Sequence, residues 1–387
     1  MSMSLSHTDY TLPPEYLPVD GILMSEHLAS FPNGRQLLQA VLQHNTEVWM
    51  LTTDVSHLQR TRGRLAQRFG VSGTDMARLK PVPVATETVW ARDWAPIFSY
   101  AAQDPGRIGL LDLQYYPERQ IDDAAPAALT TFLNQTAPAL GLDLFPRLHY
   151  ERLAVDVEME GGNLMCTDSD CFMTEEVLLR ARQRDPEVQP QSLTAALEAR
   201  LTQRFWMVPR MPHESTGHID IWAKFLNAET VVVGQISDSS LVQVPPEQQA
   251  VYSDLQAFLE IQATGLDASG QPVPNSLARI LQEQAPDVKI VRLPMPTPGV
   301  YRGVDTFRTY TNSLLLNDVA IVPRYRRGTS GPPRWGERLQ NELDEAEVER
   351  IYAEAGYAVT WIVADNLIRD GGAWHCVAMQ IPRLAGP

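Results

Sequence analysis

The sequence predicts a mixed fold of the α/β or α+β class, on three observations. Short runs rich in Val, Ile, Trp and Thr recur along the whole chain. Between them lie stretches with apolar residues at three- and four-residue spacing. No long linker or low-complexity tract divides the chain. The first pattern suits strands and the second amphipathic helices, and a mixture of the two packs as layers of sheet and helix.

The elements follow in chain order. A helix over Arg35–Gln43 precedes a strand over Glu47–Thr53, and a second helix spans Leu58–Phe69. Ile108–Gln114 is the next strand. Helices over Glu175–Arg184 and Leu193–Arg204 lead into strands over Phe205–Pro209, Ile219–Leu226 and Thr230–Ile236. A helix over Gln248–Ile261 precedes strands over Val288–Pro294, Ser313–Leu316 and Val319–Pro323. The helix Glu337–Ala355 leads to the last strands, Ala358–Val363 and Cys376–Ile381. Pro245-Pro246 and Gly328–Pro333 read as loops within one body. The expectation is a single domain over residues 1–387, with a flexible tail over residues 1–14.

Composition narrows the function. Hydrophobic residues make up 44% and charged residues 20% of the 387, ordinary for a globular protein with a sizeable core. The net charge of −15 argues against nucleic acid and is compatible with a cationic ligand. No run reaches the ~18 apolar residues of a membrane span, and Met1–Pro14 lacks the pattern of a signal peptide. The three cysteines, Cys166, Cys171 and Cys376, do not look like a disulfide framework and suit a reducing compartment. The expected location is the cytoplasm, and their spacing offers no structural zinc site.

Polar candidates recur near strand ends, at Asp93, Glu160, His218, Asn312 and Cys376. Cys376 follows Gly371-Gly372 and opens a β-like run, so a tight turn can present its sulfur at a sheet rim. An isolated Cys is more often a small buried apolar residue; here the neighbouring motifs shift the balance. To attack, the thiol must ionise, which calls for a cation beside it. In a strand, His218 and Asp220 would share one face, giving a proton carrier and an anionic anchor. His375 would face away from Cys376 and act as support. Asp93 sits between Trp90 and Trp94, beside Arg92, an arrangement suited to a planar cation. Glu160 precedes Gly161-Gly162, a turn that could set its carboxylate against an imidazole. Each of these alone is also compatible with a surface polar residue.

Taken together, Trp90-Ala91-Arg92-Asp93-Trp94-Ala95-Pro96, Glu160-Gly161-Gly162-Asn163, Gly217-His218-Ile219-Asp220 and Gly371-Gly372-Ala373-Trp374-His375-Cys376 resemble the agmatine deiminase and bacterial peptidyl-arginine deiminase family. The motifs stand in the family's order, and the resemblance runs from about Trp90 to Pro382. It implies the pentein fold, a five-bladed β/α propeller with the active site at its central channel. It also implies hydrolysis of a guanidinium to a ureido group with loss of ammonia. The implied nucleophile is Cys376. His218 would be the acid/base, Glu160 its support, and Asp93 and Asp220 the clamps. Trp90, Trp94, Glu214, Asn312 and Arg119 complete the expected substrate contacts. No metal or other cofactor is expected.

The partner would be a small cationic guanidino compound or an arginine-bearing peptide, with a homodimer as the candidate assembly and neither nucleic acid nor membrane involved. Trp94 and Ala95 stand where agmatine deiminases usually carry a small polar residue and Gly; an aromatic at the first position is more like the peptidyl-arginine branch. Around Tyr116-Pro117-Glu118-Arg119 there is one Arg, where that branch uses a pair for a peptide carboxylate. Agmatine, giving N-carbamoylputrescine, is therefore the expected substrate, with peptidyl or free arginine as the alternative. An amidinotransferase, a papain-like protease and a non-catalytic receptor for cations are the rival readings.

Overall fold

The computed structural model describes residues 10–31, 33–139, 148–242, 244, 246–296, 299–301, 304–326 and 335–383. Pro245 and the Gly328–Pro333 loop lie outside these, as do residues 1–9 of the expected tail. The predicted mixture of helix and strand is present. Ala358–Val363 forms a strand with the predicted bounds, and Gly34–Gln43, Val55–Phe69 and Gln249–Thr264 form helices close to theirs.

Among the described residues, five sheets share one pattern: an antiparallel pair, a hairpin in four of them, one strand of which also pairs in parallel with a strand further along the chain. The first sheet joins Ile97–Ala101 and Arg107–Gln114 antiparallel, then His149–Glu158 parallel. The second joins Met165–Cys166, Asp170–Thr174 and Arg204–Val208 in the same way. The third uses Ala223–Asn227, Thr230–Gln235 and Lys289–Pro294. The fourth uses Leu314–Leu316, Val319–Arg324 and Ala358–Val363. The fifth is built from both ends of the chain: Met379–Pro382 pairs antiparallel with Val19–Ser25, which pairs in parallel with Glu47–Leu51.

A parallel partner cannot follow a tight turn, so each sheet needs a long crossover. Helices fill these crossovers, among them Gly34–Gln43, Pro190–Glu198, Gln249–Thr264 and Trp335–Glu354. Their buried residues join strand residues in four apolar clusters.

The site follows from the same pattern. Asp93, Glu160, His218, Asn312 and Cys376 each lie a few residues before the first hairpin strand of their sheet. Entry segments have no ladder partner of their own, so their polar groups are free to meet.

Four expectations need correction. Residues 10–14 are not a flexible tail: Tyr10–Thr11 pairs with Tyr100 and Ala101, and Leu12 is buried. Cys166 and Cys171 form a disulfide. They face each other across the second sheet's hairpin with Cα atoms 4.1 Å apart, a register that sequence spacing alone does not show. That bond removes the cysteine-based ground for a reducing compartment. His218 and Asp220 do not lie in a strand, because Ile219–Ile221 is a 3-10 turn and the strand starts only at Ala223. Cys376 likewise lies in a turn, and its strand starts at Met379. Among the described residues, no helix is long and apolar enough to cross a membrane.

Candidate active site

Cys376 is buried, and its surroundings are polar. Asn312 Nδ2 donates to the sulfur at 3.1 Å and to Asp220 Oδ2 at 2.9 Å. The thiol itself reaches Asp220 Oδ2 at 3.7 Å. Asn312 Oδ1 accepts from the Ala373 N–H at 3.0 Å, so one side chain ties the fourth sheet's entry to the Gly-Gly turn. The Arg92 N–H donates to the Cys376 carbonyl at 3.0 Å and ties in the first sheet's entry.

His218 stands opposite. Its Nε2 pairs with Glu160 Oε2 at 2.9 Å. Glu160 is also held by Arg180, which donates at 2.7 Å while its guanidinium lies over the Tyr116 ring. The other imidazole nitrogen, Nδ1, is buried with no hydrogen-bond partner, and so is Asp220 Oδ1. These two atoms are 4.0 Å apart, and Asp93 Oδ1 is 3.8 Å from the same nitrogen. Buried polar atoms are seldom left unpaired in folded proteins. Two carboxylate oxygens and one imidazole nitrogen thus surround a position that asks for a donor-rich ligand.

Glycine makes that position. A Cβ on Gly162 would lie 2.6 Å from His218 Nδ1 and 2.8 Å from Asp93 Oδ1. A Cβ on Gly372 would lie 2.8 Å from the Cys376 sulfur and 2.6 Å from the Trp90 ring. Any larger residue at either point fills the space the ligand needs.

These groups line a cavity of about 240 Å³. Cys376, His218, Asp93 and Glu160 contribute to it, with Trp90, Tyr115 and Tyr116 as aromatic wall. Glu118, Arg119 and Asp370, all exposed, also line it.

The electrostatics favour a cation. Burial, with the Asp220 and Asp93 carboxylates, pushes the Cys376 thiol well above its usual range. Burial alone would lower the His218 imidazole, but Glu160, Asp93 and Asp220 outweigh it and raise it to about 10. Burial, opposed by His218 and reinforced by Glu160 and Asp220, lifts the Asp93 carboxyl to about 8. Burial also works against the Glu160 charge, yet His218 and Arg180 hold that carboxyl below its usual value. A positive ligand between Asp93 and Asp220 relieves the first and third of these penalties at once.

The sequence profile of the Porphyromonas-type peptidyl-arginine deiminases matches residues 25–382. The chain belongs to that family. An agmatine deiminase of Pseudomonas putida is 21% identical over 80% of this chain and 78% of its own; one of Stutzerimonas stutzeri is 22% identical with the same coverage. Among solved structures, the Campylobacter jejuni agmatine deiminase with substrate bound superposes with a TM-score of 0.65 at 15% identity, covering 98% of both chains. The agmatine deiminase of Enterococcus faecalis superposes with a TM-score of 0.67 at 17% identity, covering 97% of this chain and 96% of its own. These superpositions show a shared fold.

Within this deiminase, the expected site residues divide into two groups. Cys376, His218, Glu160, Asp93, Trp90 and Arg119 line one cavity, and Asp220 and Asn312 touch Cys376 from behind. Trp94 does not join them. The short helix Ala91–Trp94 turns it away from Asp93 into an apolar cluster with Phe98 and Tyr115, and its indole N–H donates to Thr88 Oγ1 at 3.0 Å. Glu214 is not among the residues that line this cavity. Its oxygens accept from the Thr216 and Gly217 N–H groups at 3.0 and 2.6 Å, which shapes the loop before His218. No motif marks Arg180, and the segment Tyr116-Pro117-Glu118-Arg119 gives Tyr116 no role of its own; the 3.6-residue period shows only that Arg180 is on a helix, not that it meets Glu160. No motif marks Glu15, whose carboxylate meets Arg92, Lys224 and His375.

Proposed function

We propose that the chain hydrolyses a guanidinium group to a ureido group and ammonia, with agmatine as the preferred substrate and N-carbamoylputrescine as product. The observation that carries this is the triad of Asp93 Oδ1, Asp220 Oδ1 and His218 Nδ1, two of them buried without partners, beside the only free thiol among the described residues. A guanidinium is flat, positively charged and rich in N–H donors, so it satisfies all of them.

The residues take the following roles in this reading. Asp93 and Asp220 clamp the guanidinium, and its charge draws the Cys376 thiol toward thiolate, the proton leaving to solvent. The sulfur adds to the central carbon. His218, protonated and oriented through Nε2 by Glu160, gives its Nδ1 proton to the departing nitrogen, and ammonia leaves. The product of this half-reaction is a thiouronium on Cys376. Water then adds to the same carbon while His218 takes one of its protons; the C–S bond breaks as the C=O forms, and the remaining hydroxyl proton passes to the departing sulfur, which restores the Cys376 thiol and frees the ureido product. Every step uses side chains of this chain.

Several features support a small diamine-like substrate. The relatives named above are agmatine deiminases. The cavity of about 240 Å³ suits a compact molecule, and Glu118 and Asp370 supply carboxylates for a distal ammonium. Peptidyl arginine is the second reading, favoured by the family's description and by Arg119 as a partner for a carboxylate. We also read the five like-patterned sheets as blades of one propeller, with the site at its central channel and a single catalytic domain.

The test is direct. Cys376→Ala should abolish ammonia release from every guanidino compound, and wild type should form ureido product fastest from agmatine in a panel with free arginine and arginine peptides. Full activity in Cys376→Ala, or an amine acceptor required for turnover, defeats the proposal.

A further inference from the structure

His375 is buried, and both of its ring nitrogens meet carboxylates. Nδ1 lies 2.6 Å from Asp220 Oδ2, and Nε2 lies 2.8 Å from Glu15 Oε2 and 2.9 Å from Oε1. A neutral imidazole has one N–H and could donate to only one of them; the imidazolium donates to both. Glu15 is fixed in turn. It takes Arg92 Nη1 at 2.7 Å and Lys224 Nζ at 3.0 Å, and its carbonyl accepts from Gln380 Nε2 at 2.9 Å. Burial disfavours its charge, but Arg92, His375 and Lys224 hold its carboxyl well below the usual range.

The consequence reaches the site. Asp220 Oδ2 is taken up by His375, Asn312 and the thiol, which leaves Oδ1 as the oxygen turned toward His218. We propose that Glu15 and His375 are positioning residues of the deimination site: the imidazolium, held between Glu15 and Asp220, fixes the orientation of the clamping carboxylate and supplies a positive charge that favours ionisation of Cys376. This rests on the function proposed above. The charged and titratable groups around the sulfur are Asp220, Asp93 and Tyr325, with His218 and Glu160 across the same cavity; those facing His375 are Asp220 and Glu15, with Arg92 and Lys224 behind Glu15. His375 is therefore the basic side chain that adjoins Asp220 Oδ2, the oxygen the thiol also reaches.

Two substitutions separate geometry from charge. His375→Asn keeps a donor near the Nδ1 position, toward Asp220, and removes the charge. His375→Gln keeps a donor near Nε2, toward Glu15, and releases Asp220. Because Cys166 and Cys171 are joined, Cys376 is the thiol that iodoacetamide can reach, and its alkylation rate against pH reads the thiolate without any substrate. His375→Asn should move that midpoint upward by about one pH unit and lower kcat/KM about tenfold at fixed pH, with KM little changed. His375→Gln should raise the KM for agmatine about tenfold or more, the cost of one loosened charge-assisted contact. Glu15→Gln should reproduce the shifted midpoint; if it does not fold, because it strands Arg92 and Lys224, His375→Asn carries the test, since it leaves that trio intact. An unshifted alkylation midpoint in folded His375→Asn overturns the proposal. So do equal losses in kcat and KM in both His375 variants, the outcome of a merely structural role. A wild-type enzyme without activity on any guanidine sinks the deimination reading instead, and the alkylation result stands apart from it.

Discussion

At the scale of single residues, the site works by making a cation more welcome than water. Asp93 is the residue on which that depends most, since burial lifts its carboxyl to about 8. Below that pH it is protonated and cannot clamp a guanidinium, so binding must release a proton. His218, raised to about 10, must still carry its proton to discharge ammonia. The pH profile of kcat/KM should therefore be a bell with limbs near 8 and 10. Asp93→Asn should remove the lower limb and cost about a hundredfold in kcat/KM, on the order of the ~2–3 kcal/mol lost with one charged hydrogen-bonded contact. A lower limb that stays in place in Asp93→Asn assigns it elsewhere. Gly162→Ala makes a harsher test of space. Its methyl would sit 2.6 Å from His218 Nδ1, so activity should fall by at least about a hundredfold while the circular dichroism spectrum stays that of wild type. These residues were legible in the sequence because their chemistry is rare in combination: Cys376, His218, Glu160, Asp93 and Asp220 could be named before any coordinates. Glu15 and Arg180 were not, because a lone carboxylate after a Pro-Pro pair and an Arg on a helix carry no pattern of their own; only the fold brings them to His375 and Glu160.

At the scale of elements, periodicity located most helices and strands but misjudged how segments enter the sheets. The runs at Ile219 and Cys376 have strand-like composition, yet both begin as turns, because the positive-φ glycines Gly217 and Gly371 bend the chain just before them. That bend is what exposes His218 and Cys376 to the cavity; in a continuous strand they would be spent on the ladder. Trp94 was expected beside the ligand because it adjoins Asp93, but a helical turn rotates each residue by about 100° and carries Trp94 into the core. The Cys166–Cys171 disulfide was hidden because pairing register, not spacing, sets which residues face each other. It spans only the hairpin turn, on the opposite side of Asn163 and Leu164 from Glu160, and closes a loop of about six residues, for which chain entropy gives roughly 2 kcal/mol. Cys166→Ser with Cys171→Ser should therefore lower the melting temperature by a few degrees and leave kcat/KM within about twofold. A loss of activity at temperatures where the double variant remains folded would show that the hairpin also governs the site.

At the scale of the whole molecule, the site's charge arrangement sets stability against function. His218 has a folded-state value of about 10 against 6.5 for an ordinary imidazole, so its contribution is complete below about pH 6.5 and is lost as pH rises toward 10. Asp93, raised to about 8 from 3.8, works in the same direction: each unit of pH from about 4 to 8 charges it in the unfolded chain before the folded one. Glu160 and Glu15 act oppositely, since their lowered values give stability above the ordinary carboxyl range that is lost in acid. The free protein should thus be most stable in mildly acidic solution and lose melting temperature steadily from about pH 6.5 to 10, an interval in whose lower part the bell of kcat/KM climbs to its maximum near pH 9. A guanidinium ligand reverses this. It binds only the folded state, and more tightly once Asp93 is ionised, so it stabilises by mass action, about 2.7 kcal/mol at a hundred times its dissociation constant, and the gain should grow with pH between 6.5 and 9. Differential scanning fluorimetry of Cys376→Ala with and without agmatine across this range measures both slopes without turnover. If the free protein's melting temperature is flat or rises from pH 6.5 to 10, the carboxylates around His218 are not held at the cost inferred from their burial, and the cation-seeking site loses its electrostatic basis.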